Sequence, residues 1–188
     1  MRFFHVAPAL LLLAACGSGS DDTFSLTADE AFGFTTVVAT KAATLGAADS
    51  TILPSGQVRY EGITTVQEIG VIGSGETRGS AVMAVDFDSS ELTGEAYNFY
   101  NRKTEFTAGG TVTTTVPVEG SLSFASTSVS TGAFPITVAG SVEIDGTPES
   151  MAAQIDARFI DIGTANADII QGGGTVFGGH HSVGILLD

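Results

Sequence analysis

Three consecutive stretches decide the fold: Ile136-Thr137-Val138-Ala139-Gly140-Ser141-Val142-Glu143-Ile144, then Asp145-Gly146-Thr147-Pro148, then Met151-Ala152-Ala153-Gln154-Ile155-Asp156-Ala157-Arg158-Phe159. In the first, Ile136, Val138, Val142 and Ile144 alternate with Thr137, Ser141, Glu143 and Asp145. In the third, Ala153, Ile155, Ala157 and Phe159 alternate with Gln154, Asp156 and Arg158. Successive side chains of a strand point to opposite faces, so a period of two marks a strand with one buried and one wet face. Asp-Gly between two such runs is a hairpin signal, because these residues accept the positive φ of a tight turn.

The same period extends on both sides. From Gly79 to Phe87, Ala81, Met83, Val85 and Phe87 share one face, while Asp86 and Asp88 belong to the other. Turns are expected at Asp88-Ser89-Ser90, Ala108-Gly109-Gly110 and Gly172-Gly173-Gly174. From Gln57 onward this amounts to about eight to ten antiparallel strands, too many for one small open sheet. Closing the sheet into a barrel removes its edges. A membrane-spanning barrel alternates too, with the faces reversed and with aromatic girdles. The chain has no Trp and three Tyr, which favours a barrel with an apolar interior. The expected core comprises Met83, Val85, Phe87, Ile136, Val138, Ile144, Ile155 and Phe159.

The chain has 188 residues and a formal net charge of −14. That acidity argues against nucleic acid and anionic membrane surfaces as partners; a monomer is expected. There is one cysteine, Cys16, so no internal disulfide can form. Near the N-terminus, Thr27-Ala28-Asp29-Glu30 reads as a capping box, followed by Ala-rich sequence to Leu45 and a stop at Gly46. The β-branched run Thr35-Thr36-Val37-Val38 pulls toward a strand, but the caps favour a helix. Ala47 to Pro54 reads as a loop.

The first residues carry a different message. Arg2, an apolar stretch from Val6 to Leu13, and Leu13-Ala14-Ala15-Cys16 resemble the leader and lipobox of bacterial lipoproteins. The apolar run of about ten residues falls short of the roughly 20 needed to span a bilayer. The resemblance implies cleavage before Cys16 and acylation of that residue, which anchors the chain to the membrane. Gly17-Ser18-Gly19-Ser20-Asp21-Asp22 has the composition of a polar tether. Gly17, not Asp, follows the cysteine, which implies export to the outer membrane. The expected organisation is a signal peptide over 1–15, a lipidated tether over 16–23, a helical or irregular segment over 24–52 and a barrel over 53–188.

Several stretches of that barrel resemble the transferrin-binding-protein-like surface lipoproteins. Leu53-Pro54-Ser55-Gly56-Gln57-Val58-Arg59-Tyr60-Glu61-Gly62 is similar to their first barrel strand. Gly79 to Phe87 with Leu92-Thr93-Gly94 is similar to the second strand and its partner. Phe159 to Gly163, Asn166-Ala167 and Gly172-Gly173 resemble a late segment, and Val176-Phe177-Gly178-Gly179 the last strand. A further strand, Ser182 to Leu187, follows here. The resemblance implies an all-β fold with an antiparallel eight-stranded barrel behind a short helix. It also implies a lipid tether and a binding role for a protein or nutrient complex at the outer membrane or cell surface. A structural lipoprotein of the cell envelope without a soluble ligand is the alternative.

The residues offer little catalytic chemistry. His180 and His181 are neighbours, so on a strand they face opposite sides and cannot share one metal; one buried and one exposed histidine is expected. Asp86, Asp88 and Ser90 begin like a calcium loop, but Glu91 and Tyr97 stand where Gly and Glu are needed. Neither a phosphate loop nor a Gly-x-Ser-x-Gly elbow occurs. The expectation is a non-enzyme without cofactor or metal. One patch stands out: Tyr97-Asn98-Phe99-Tyr100-Asn101-Arg102-Lys103. Aromatic and Arg side chains dominate binding hot spots, so Tyr97, Phe99, Tyr100, Arg102 and Lys103 are the candidate partner-binding residues. By strict alternation Tyr100 lies opposite Tyr97 and Phe99. A lipocalin-like carrier is a third reading. Inward packing of Phe87, Phe124, Phe134 and Phe159 together would instead mean a filled barrel.

Overall fold

A computed structural model describes residues 24–69, 75–162, 167–177 and 179–188. The expected leader, Cys16 and the tether lie outside them. The chain forms one helix, α1 (Ala28–Leu45), and ten strands: β1 (Ala48–Asp49), β2 (Gln57–Glu68), β3 (Glu76–Asp86), β4 (Glu91–Thr107), β5 (Gly110–Val118), β6 (Gly120–Ser126), β7 (Phe134–Ile144), β8 (Thr147–Asp161), β9 (Ile169–Thr175) and β10 (His181–Leu187). Eight of them close an antiparallel barrel in the order β8-β7-β6-β4-β3-β2-β10-β9, with β9 returning to β8. The two-residue β1 adds to β8, and β5 pairs with β4.

The alternating residues take the places their parity requires. Met83, Val85, Ile136, Val138, Ile155 and Phe159 are fully buried inside the barrel, and Phe87 and Ile144 pack on that core while partly exposed. Thr137, Ser141, Gln154, Asp156 and Arg158 are exposed on the outside. Apolar inside and polar outside is the reverse of a lipid-facing barrel. Phe124 and Phe134 are buried as well. The Phe159 ring stands 5.1 Å from Phe134 and 5.3 Å from Phe87, centroid to centroid. The interior is therefore packed with side chains, as the diameter of an eight-stranded barrel allows, and the carrier reading is set aside.

Two sequence expectations change. Gly172-Gly173-Gly174 is not a turn: it lies within β9. A Cβ on Gly172 would sit 2.8 Å from the Ala157 Cβ, and one on Gly174 2.9 Å from the Gln154 carbonyl oxygen. Side chains are excluded there because β8 and β9 approach closely where the barrel closes. Val176 and Phe177, in the stretch that resembles the family's last strand, contribute only an isolated bridge from Val176 to Ala153 and a turn. The last strand is β10, close to the expected 182–187. The Asp145-Gly146 hairpin forms with both residues at positive φ, 54° and 77°.

The N-terminal segment also folds as its caps dictate. The Thr27 amide donates to Glu30 Oε2 at 2.8 Å, and the Glu30 amide donates to Thr27 Oγ1 at 3.4 Å. The Thr27 amide, and after it the Thr27 hydroxyl, which donates to Glu30 Oε2 at 2.7 Å, hold the Glu30 carboxyl below its ordinary value. Gly46 ends the helix at φ 80°. α1 lies outside the barrel, where Val38 packs with Ile160, Ile162 and Ile169 in a second apolar cluster.

Candidate functional site

The Tyr97–Lys103 patch sits where β4 leaves the barrel, and its geometry turns on one irregularity. Ser80 pairs with Tyr97 and Arg78 with Tyr100, so Asn98 and Phe99 together oppose Gly79. This is a β-bulge, with Asn98 at φ 54°. Gly79 allows it: a Cβ there would lie 2.6 Å from the Phe99 ring. One extra residue reverses the parity of everything after it. Leu92 and Ala96 point inward before the bulge, Phe99 and Asn101 after it.

Strict alternation is therefore overturned at this point. Phe99, 1% exposed, is a core residue and cannot touch a partner. Tyr97 and Tyr100 are both half-buried instead of lying on opposite faces. The Tyr97 hydroxyl donates to the Phe24 carbonyl at 2.5 Å, and Asn98 Nδ2 donates to the Leu26 carbonyl at 2.8 Å. Burial, with the Glu95 carboxylate second, pushes the Tyr97 hydroxyl above its ordinary value.

The start of α1 covers the same shoulder. The Phe32 ring lies between two guanidiniums, 3.8 Å from that of Arg102 and 5.1 Å from that of Arg78. Arg78 also donates to the Ala31 and Phe32 carbonyls, each at 3.2 Å. Such stacking contributes about 0.5–2 kcal/mol, more as it is desolvated. Part of the expected hot spot thus holds the chain's own N-terminal segment.

Nor is its positive charge unanswered. Arg102 lies 3.6 Å from an Asp29 carboxylate that is fully exposed, and Lys103 pairs with Asp145 across the barrel mouth. Each Lys and Arg among the described residues has an acidic partner, Lys41 with Asp188 and Arg158 with Asp49 among them. An exposed pair such as Arg102–Asp29 is worth little and exchanges easily.

Beyond Arg102 the strand continues where sequence reading placed no site. β4 and β5 form a hairpin that extends beyond the β4–β6 pairing, tied at its base to the β7–β8 turn by Lys103 and Asp145, with residues 104–114 all exposed. Among large apolar side chains, Phe106 is 86% exposed, Val112 51% and Val116 45%. After the bulge, Tyr100, Arg102, Thr104 and Phe106 share one outward face. The signal for Phe106 was an aromatic residue beside an Ala-Gly-Gly turn, at a parity the bulge concealed.

The histidines also differ from expectation. His180 is exposed and His181 half-buried at the start of β10, so neither is buried. Among the described residues, no three His, Cys, Asp or Glu side chains cluster to hold a metal. No protein-family model, curated protein or solved structure matches this chain.

Proposed function

We propose that this protein is a lipid-anchored module of the bacterial cell envelope that binds a protein or nutrient complex. Its barrel is a rigid scaffold, and binding falls on the outward face of the β4–β5 hairpin. The observation that carries the reading is that hairpin: its outward face runs from half-buried Tyr100 and Arg102 at the barrel shoulder to Phe106, 86% exposed, near the tip. Aromatic and Arg side chains on one accessible face are the composition of a hot spot. The lipobox-like leader and the polar run after Cys16 support the anchor, and Gly17 supports the outer membrane.

Two measurements test the two halves of this proposal. Cys16→Ser is expected to leave the membrane fraction or to remain unprocessed; normal cleavage with unchanged membrane partitioning removes the anchor. For binding, partners captured by the wild type are compared with those captured by Phe106→Ala and by Tyr100→Ala with Arg102→Ala. Loss of at least about 2 kcal/mol is expected. Equal capture by all three moves the binding surface elsewhere. A wild type displayed on the cell that captures nothing favours a structural envelope role.

A further inference from the structure

We propose that β5 is a self-pairing edge: two copies of this chain join β5 to β5 in antiparallel fashion about a two-fold axis at Thr114. The surface used is the strand edge, distinct from the outward face of the hairpin. Among the described residues β5 pairs only with β4, so its other edge carries free backbone groups from Gly110 to Val116, while the end of β7 comes alongside Pro117 and Val118. Proteins ordinarily guard such an edge with charged side chains. The neighbouring tip of β4 has Lys103 and Glu105, whereas Gly110-Thr111-Val112-Thr113-Thr114-Thr115-Val116-Pro117-Val118 has no charge at all.

The backbone phase is determined by the turn. Thr107 and Gly110 pair across the two-residue loop Ala108-Gly109, so they exchange backbone bonds with each other. With that register unbroken along the hairpin, even-numbered residues of β5 bond to β4. Odd-numbered ones (Thr111, Thr113, Thr115 and Pro117) present their backbone to the other edge. Proline, which has no N–H to leave unpaired, sits at one of those outward positions, as expected on an edge.

What fits this edge is written in its own sequence. Val112-Thr113-Thr114-Thr115-Val116 reads the same in both directions. Antiparallel pairing about Thr114 sets Thr113 against Thr115 of the second copy with two hydrogen bonds, and does so twice. It sets Val112 against Val116 of the second copy, also twice, covering the two most exposed aliphatic side chains of the hairpin. No charge meets a like charge. β5 itself carries none of the chain's net negative charge, and antiparallel pairing sends the two acidic barrels to opposite ends of the new four-stranded sheet. Nine residues at about 3.4 Å each keep them roughly 30 Å apart, several times the screening length of about 8 Å at physiological salt.

The register supplies the test, on the full-length chain extracted from membranes in mild detergent and gently oxidised. Thr114→Cys is expected to form a disulfide dimer, because an unbonded antiparallel pair stands about 4.5 Å apart at Cα, within the roughly 4.4–6.8 Å that a disulfide spans. Val112→Cys alone is expected to give about tenfold less, since its neighbour is Val116, and mixing Val112→Cys with Val116→Cys restores the yield. The unsubstituted chain, with Cys16 alone, sets the baseline. The proposal is overturned if Thr114→Cys gives no dimer. Equal yields from Thr114→Cys, Val112→Cys alone and the barrel-wall control Thr93→Cys overturn it equally, because they mark collision without register.

Discussion

Strand β4 runs through two environments. From Glu91 to Ala96 it has β3 on one side and β6 on the other, and Leu92 and Ala96 sink into a packed interior. From Thr104 to Thr107 it has β5 alone, with every residue exposed. Backbone hydrogen bonds contribute about 1 kcal/mol each in either place, and two strands without a core are marginal. The inner half is held by burial and the outer half only by its connection to the inner. Stability and availability have thus been assigned to different halves of one strand, with the Asn98 bulge as the divide.

The widest effect is expected at the centre of the interior. Phe159→Ala removes the ring that Tyr60, Phe87 and Phe134 surround and should cost about 3–5 kcal/mol in urea or thermal unfolding. A melting temperature within a degree of wild type would break the distinction between the two regions.

The divide itself is tested at Gly79. Gly79→Ala pushes a methyl into the Phe99 ring and should destabilise by about 1–3 kcal/mol. An unchanged stability would mean that the Phe99 ring has room to move and that the bulge does not depend on this glycine.

Next in size is a tyrosine buried in the wall. The Tyr60 hydroxyl donates to the Ala167 carbonyl at 2.6 Å. Burial, then the Asp168 and Asp161 carboxylates, push its pKa far above the ordinary value. The folded state therefore keeps a proton that the unfolded chain releases. The resulting stability is complete below the ordinary tyrosine value of about 10 and is lost as pH rises past it. Tyr60→Phe should cost about 1 kcal/mol at neutral pH and flatten the alkaline fall in melting temperature. Tyr97, shifted in the same direction, accounts for what remains. An alkaline limb identical to wild type would refute the assignment.

The smallest effect belongs to the tip. Phe106→Ala, at an exposed site without packing, should change stability by less than about 0.5 kcal/mol, although it is expected to weaken partner capture. A loss comparable to Phe159→Ala would show that the hairpin packs on something, and the comparison would need redrawing.

Much of the barrel could be read from the chain because Ile136 to Phe159 alternates without interruption around an Asp-Gly turn. The helix was legible from Thr27 and Glu30, whose reciprocal bonds do form. Reading failed where one residue carries two meanings. The three glycines 172–174 look like a turn by propensity, yet they lie in a strand, and Gly172 and Gly174 are the thin part of a wall. A bulge is a single inserted residue, and within Tyr97-Asn98-Phe99-Tyr100, where both parities are aromatic, no periodicity reveals it. The hot spot drawn across that bulge consequently mixed one core ring with surface residues. The packing of Phe32 between Arg78 and Arg102 joins residues distant in sequence, which no local pattern announces.

The wall is completed by the chain's last strand. β10 slots between β2 and β9, and the Asp188 amide donates to the Glu61 carbonyl at 2.9 Å. β2 therefore has one side unmatched until β10, far later in the sequence, pairs with it. Contacts so distant along the chain must overcome loop entropy before they are rewarded, which places such topologies among the slow folders, in milliseconds to seconds. Among the described residues β10 alone joins β2 to β9, so a chain without Val183–Leu187 would be left with an open seam between them.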